Sequence, residues 1–188
     1  RMFTLSKTFM DPVWYFVTFW IGRYLVDVHH LEMKQIGWLA MIPFIIADVG
    51  NIAGGYFTQY IIKRGMPIPR ARKVAVTIAS LIMILPLLVG PFVITTPISA
   101  LIVFGLAGFG YTAYTANTLT FPADVVPKNS AASVWGMACV GTGLGGAVFQ
   151  SVSGIVLKTY SLEMGYHYAY NLLFLGFGIV ALVGLLIM

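Results

Sequence analysis

The sequence predicts an all-α, polytopic membrane protein with six transmembrane helices. Three observations carry that prediction. Charged residues are only 9% of the 188-residue chain, where a soluble domain carries about 25%, and the mean hydropathy is +0.89. From Val74 to Ala123 there is no charged residue at all, too long a run for one span, since about 20 apolar residues cross the roughly 30 Å hydrocarbon core. The apolar runs are also too long and too continuous for barrel strands, and helices or closed barrels alone satisfy their backbone in lipid.

The spans fall at about 1–28, 36–62, 74–94, 98–122, 131–157 and 168–188. The first reads "SKTFMDPVWYFVTFWIGRYLV", where Pro12 removes one backbone donor and bends the helix. The second, Gln35 to Ile62, is nearly pure hydrocarbon around "PFIIADVGNIAGGYF". The third and fourth share the uncharged run, which breaks at "GPFVITTP" between Pro91 and Pro97. The fourth continues into "GYTAYTANTLTFP", closed by Pro122; the fifth carries "GMACVGTGLGG"; the sixth is apolar to Met188. No cleavable leader is expected, because "RMFTLSKTF" lacks a small-residue cleavage site after a short apolar core.

Loop charge orients these spans. The 63–73 loop, "KRGMPIPRARK", holds Lys63, Arg64, Arg70, Arg72 and Lys73 and no acid. The 29–35 and 158–167 connections balance Lys34 and Lys158 against Glu32 and Glu163. Positive loops stay cytoplasmic, so the basic loop, both ends of the segment and the "DVVPKN" loop are expected to face inward.

Several function classes are excluded. The net charge of +5 is a topology anchor and no nucleic-acid footprint. One cysteine, Cys139, forms no internal disulfide. The glycines at 141, 143, 145 and 146 lack the strand and soluble helix of a nucleotide loop; like those of "GLAGFGY", they let membrane helices approach closely. His29, His30 and His167 have no companions at zinc spacing, so neither metal nor cofactor is expected. No Ser-His-Asp or Cys-His arrangement is legible, and Asp11 and Asp48 lack the Gly-Asp context of an intramembrane protease. No enzyme is expected.

What remains is polarity inside the spans. Lys7 and Asp11 stand four apart on one face and can pair. Arg23 lies near the outer end, where it can snorkel or pair. Asp48 lies about 20 Å down the second helix from Gln35, at or below the midplane, where an acid costs about 2.5–3.5 kcal/mol and faces a cavity or a partner. Three roles stay open for it: a titrating coupling site, a partner for Arg23 or Lys7, or an acceptor for a neighbour's hydroxyls. Tyr111, Thr112, Tyr114, Thr115, Asn117 and Thr118 give the fourth span an unusual density of polar groups. Spans one and four thus share aromatic-plus-polar character with interruptions, the pattern of two three-helix repeats meeting at a ligand site.

"DPVWYFVTFWIGRYL", "IGWLAMIPFIIADVGNIAGGYFTQYIIKRG", "RARK" and "YTANTLTFPADVVPKNSAASVWGM" resemble the C-terminal six-helix half of the anion:cation symporter family within the major facilitator superfamily. Bacterial hexuronate transporters are the nearest likeness, and it covers essentially the whole chain. The resemblance implies residues 1–188 as one half of a twelve-helix fold in the bacterial cytoplasmic membrane. It implies alternating access, with a sugar acid moved together with a cation, the proton foremost. It also implies a partner in the missing N-terminal half, where the family's coupling carboxylates and anion-capturing arginine lie. The chain departs from the family at Gln59, where relatives carry a gate-latching acid, and at Gly22, where many carry proline. The rival class is a helical channel or membrane assembly subunit without alternating access.

A uronate offers one carboxylate and a ring of hydroxyls, so its site needs a cation and several neutral groups. The expected neutral set is Tyr15, Thr115, Asn117 and Gln150, with Asn117 foremost because an amide both donates and accepts. Lys7, Asp11, Arg23 and Asp48 are the expected coupling or charge-pairing residues.

Overall fold

A computed structural model describes residues 2–120 and 127–188, apart from the side chains of Lys128 and Asn129. The expected stop at Pro122 and residues 124–126 of the "DVVPKN" loop lie outside them. No strand occurs among the described residues. The helices are α1 (Met2–Met10), α2 (Pro12–His29), α3 (Met33–Leu39), α4 (Met41–Lys63), α5 (Ile68–Val93), α6 (Pro97–Thr118), α7 (Lys128–Met164) and α8 (Tyr166–Ile187).

Six passes result. Five helical stretches, beginning at Met33, Ile68, Pro97, Ser130 and Tyr166, are each long and apolar enough to cross a membrane. The remaining pass is α1 with α2, diluted by Lys7, Asp11, Arg23 and Asp27. The chain is therefore an all-helical, multi-pass membrane protein.

Local chemistry sets the breaks. Pro12 opens α2, and the chain turns at Asp11 between it and α1. His30, at φ 53°, closes α2: its N–H donates to the Val26 carbonyl, and the Leu31 N–H donates to that of Leu25. A reciprocal Glu32–Gln35 capping box then starts α3. Gly65, at φ 94°, makes the basic turn between α4 and α5. The turn at "GPFVITTP" is tighter than its prolines suggest: α5 keeps Pro86 and Pro91 inside it and ends at Val93. Thr96 and Ser99 cap α6 reciprocally. Helix α7 runs to Met164, past the expected end at 157; its 37 residues extend about 55 Å.

Helix pairing shows the repeat. The fourth pass (α6) packs on the second (α4) and third (α5), and the first (α1–α2) packs on the fifth (α7) and sixth (α8). Second meets third, fifth meets sixth, first meets fourth and third meets sixth. Exchanging passes one to three with four to six leaves these pairings unchanged. Each three-helix unit thus finds the partners of its first helix in the other unit.

Small residues make these approaches possible. On α4, Gly50 and Gly54 lie against α6: a Cβ on Gly54 would meet Ala113 Cα at 2.7 Å, and one on Gly50 would collide with the Phe109 carbonyl. On α7, a Cβ on Gly141 would meet Thr8 Oγ1 of α1 at 2.6 Å. Where the first, fourth and sixth passes converge, aromatic rings fill the core: Phe16 stacks on Phe177 at 4.4 Å, Tyr24 meets Tyr170 edge-on at 4.9 Å, and Phe104 meets Phe174 at 5.1 Å.

Candidate functional site

The break in the first pass organises the polar interior. Lys7 and Asp11 end up 4% and 2% exposed. Lys7 Nζ stands 3.0 Å from Asp11 Oδ2 and donates to Oδ1 at 3.2 Å. Thr142 of α7 donates its hydroxyl to Asp11 Oδ2. The ammonium also lies 5.7 Å from the centre of the Tyr114 ring and 5.4 Å from that of Trp135, a cation–π setting on two sides. Among the described residues this is the one ion pair with both partners buried.

The same break exposes backbone. Pro12 has no N–H to give to the Thr8 carbonyl one turn back. Gly145 of α7 approaches that carbonyl so closely that a Cβ would overlap it. The glycine run therefore seats α7 on the bend, and Thr142, set between Gly141 and Gly143, reaches Asp11 from there.

Helix α2 carries the site onward through two adjacent aromatics. Trp14 stacks on Tyr111 of α6, with centroids 5.1 Å apart and planes at 10°. Tyr15 lies against Gly146 of α7 and stacks on Phe19 at 6.1 Å. One helical turn beyond Tyr111 stands Thr115, and one turn beyond Gly146 stands Gln150. Gln150 Nε2 is buried without a hydrogen-bond partner among the described residues, and the buried Thr115 Oγ1 has the Tyr111 hydroxyl beside it. Buried polar groups are nearly always satisfied, so both atoms have capacity for a ligand or water. The Gln150 carbonyl oxygen is taken by the Trp20 indole N–H.

Asn117 behaves differently from its expected role. It is 2% exposed, and its amide donates to the Gly54 and Ala113 carbonyls at 3.2 and 3.0 Å while accepting from the Thr58 hydroxyl. The side chain is turned toward α4 and spends its hydrogen bonds inside the fold. It staples passes four and two, as Trp20–Gln150 staples passes one and five. Asn117→Ala is expected to lower stability by about 1–3 kcal/mol, the cost of leaving buried groups unpaired. Thermal unfolding of the purified protein measures this.

The other charges are corrected by the structure. Arg23 does not pair with Asp48: its Nε bonds Asp27 Oδ2 at 3.2 Å on its own helix, and the Tyr170 hydroxyl donates to the same oxygen at 3.0 Å. Lys7 is likewise satisfied by Asp11. Asp48 lies on the exposed face of α4, and no ion pair or hydrogen bond reaches its carboxylate among the described residues. An acceptor role for neighbouring hydroxyls fails too, since Thr112 turns to the Ala47, Gly108 and Phe109 carbonyls.

Trp14, Trp20, Thr58 and Thr142 were not singled out from sequence, and each completes a contact across passes. Thr142 had a legible signal: a lone hydroxyl between two glycines of a packing stripe. Asp27 had another, standing four residues after Arg23.

Comparison with known proteins gives a consistent picture. The family profile described as Major Facilitator Superfamily matches residues 7–150. The chain is 28% identical over 156 residues to the "Hexuronate transporter" of Escherichia coli (strain K12), covering 82% of this chain and 36% of that protein. It is 25% identical over 176 residues to the "D-galactonate transporter" of Escherichia coli O6:H1, covering 94% and 38%. It is 27% identical over 172 residues to the human "Sodium-dependent phosphate transport protein 4", covering 89% and 38%. The chain thus spans little more than a third of the length of these relatives.

Proposed function

This chain belongs to the Major Facilitator Superfamily, and we propose that residues 1–188 form the C-terminal six-helix half of a secondary transporter. It moves an organic anion, a hexuronate or related sugar acid, together with a cation, by alternating access in the bacterial cytoplasmic membrane. The observation that carries this reading is a pair of buried polar atoms with hydrogen-bonding capacity to spare, Thr115 Oγ1 and Gln150 Nε2, set one turn beyond the aromatic contacts of Trp14 and Tyr15. Aromatic faces suit the apolar side of a sugar ring, and a hydroxyl and an amide suit its hydroxyls. The relatives' names support an anionic cargo, since hexuronate, galactonate and phosphate are all anions. The human relative is also named for sodium dependence.

In this reading Tyr15, Thr115 and Gln150 contact the sugar acid, and Asn117 holds the part of α6 that carries Thr115. Lys7 and Asp11 are the intramembrane charges nearest this region. The test is uptake of radiolabelled glucuronate or galacturonate into proteoliposomes holding the full-length protein. Saturable accumulation driven by an imposed proton or sodium gradient is the expected result; passive conductance without accumulation sinks the proposal in favour of a channel. Gln150→Ala and Thr115→Val are each expected to weaken uronate binding about five- to a hundredfold, for a lost contact worth about 1–3 kcal/mol. Titration calorimetry on the folded variants checks this, and unchanged affinity in both moves the site elsewhere.

A further inference from the structure

The end of the bundle opposite the basic 63–73 stretch holds a second polar hollow, between α2 and α7. These two helices meet where the Trp20 indole N–H donates to the Gln150 carbonyl oxygen. One helical turn farther toward that end stand Arg23 on α2 and Gly154 on α7. A Cβ on Gly154 would meet nothing within 4 Å, so the helices part beyond the Trp20–Gln150 contact. The opening is a cavity of about 380 Å³ whose lining includes Arg23, Gly154, Lys158, Ser161 and Tyr166.

Its charge is one-sided. Two cations line it from two different passes, and no acid does. Arg23 Nε is engaged by Asp27 Oδ2 at 3.2 Å, and the Tyr170 hydroxyl donates to the same oxygen at 3.0 Å. The guanidinium carbon lies 5.7 Å from the centre of the Trp20 ring. These contacts hold the guanidinium plane without using its outer edge, and no hydrogen bond within the described chain reaches Nη1 or Nη2. Lys158 is exposed and belongs to no ion pair among the described residues. Glu163, the one acid of α7, stands five residues past Lys158 and so falls on the far side of that helix.

A held guanidinium edge matches a carboxylate in two parallel hydrogen bonds, and an ammonium across from it adds a point charge. The Ser161 and Tyr166 hydroxyls both donate and accept, as sugar hydroxyls require. Like charges facing one hollow repel, and an anion set between them turns that repulsion into attraction.

We propose that this cavity is an anion-docking site, separate from the Thr115–Gln150 region, that holds the carboxylate of a sugar acid between Arg23 and Lys158. Only the identity of the anion rests on the transporter reading above; the carboxylate site stands on its own geometry. The Trp20–Gln150 contact divides the two regions, so an anion docked here waits one helical turn from the deeper site.

The test uses purified full-length protein carrying Cys139→Ser and Gly154→Cys, which puts a thiol in the cavity wall. Its labelling rate is compared between two methanethiosulfonates of similar size, one bearing a sulfonate and one a trimethylammonium. The sulfonate reagent is expected to react faster by about fivefold or more, the effect of one unit charge at roughly 4 Å in water. Lys158→Gln, at an exposed position that the fold does not need, should reduce that ratio, and Arg23→Gln with Lys158→Gln should abolish it. Glucuronate should slow labelling where glucose does not, and should still do so in a Thr115→Val background, where the deeper site is weakened. Equal rates for the two reagents, a ratio indifferent to both cation variants, or protection lost in the Thr115→Val background would each overturn the site. A protein that shows the charge preference and the protection but accumulates no uronate in proteoliposomes keeps this site and loses the transport reading.

Discussion

Lys7→Met is expected to cost about 3–5 kcal/mol of stability, the usual penalty for stranding one member of a buried pair. The geometry makes the penalty severe. Asp11 keeps the Thr142 hydroxyl but loses two close contacts from the ammonium, and no other cation of the described chain reaches it. Methionine preserves the stem against Tyr114 and Trp135, so packing loss adds little. Lys7→Met combined with Asp11→Leu should recover much of the deficit, because a buried ion pair replaced by apolar residues is often neutral. Thermal melts of wild type, both singles and the double variant close the cycle. If Lys7→Met melts like wild type, Asp11 is neutral in the fold and the ion pair is not formed. Asp11→Asn offers a gentler probe, since an amide still accepts from Thr142.

Gly145→Val should produce the second large effect, at the bend itself. Its side chain has no room, because the Thr8 carbonyl occupies the place of the Cβ, and backbone cannot swing aside as a flexible side chain can. Overpacking of this kind costs about 1–3 kcal/mol or more. The consequence should be local: α7 lifts from α1, and Thr142 withdraws from Asp11. Hydrogen exchange in α1 and around Thr142 should rise, while the α4–α6 contact through Gly54 keeps its protection. Gly143→Val, at an exposed position with open space around the Cβ, is the control. Equal exchange in the two variants would show that α7 does not rest on the bend.

The fold was largely legible because membrane burial writes itself into composition. The uncharged run, the basic stretch at 63–73 and Pro12 each marked a break by plain chemistry, although α5 already begins at Ile68 and takes Arg70, Arg72 and Lys73 into its first turns. The site was only partly legible. Lys7 and Asp11 could be paired from their spacing, since both partners sit on one helix. Asp48 could not be placed, because helical periodicity says which residues share a face but not which face meets another helix. Asn117 shows the same limit: its amide looked available in sequence, but Gly54 brings α4 close enough to claim it. The repeat was suggested by shared character in passes one and four, whereas the exchange of partners between units follows from three-dimensional packing that no local pattern encodes.

That exchange of partners has a consequence for synthesis. Asp11 and Thr142 are 131 residues apart, and chains emerge at roughly 5–20 residues per second. The first pass therefore waits on the order of 7–26 s in the membrane before its fifth-pass partner is made. Throughout that delay an acid and an ammonium must be tolerated without the α7 glycine stripe to cover them. A cation supplied by a later helix would leave Asp11 unmatched during insertion. A cation four residues away on the same helix arrives with it, so the pair is neutralised from the moment it forms, and the nascent segment can rest in the bilayer until the rest of the bundle closes around it.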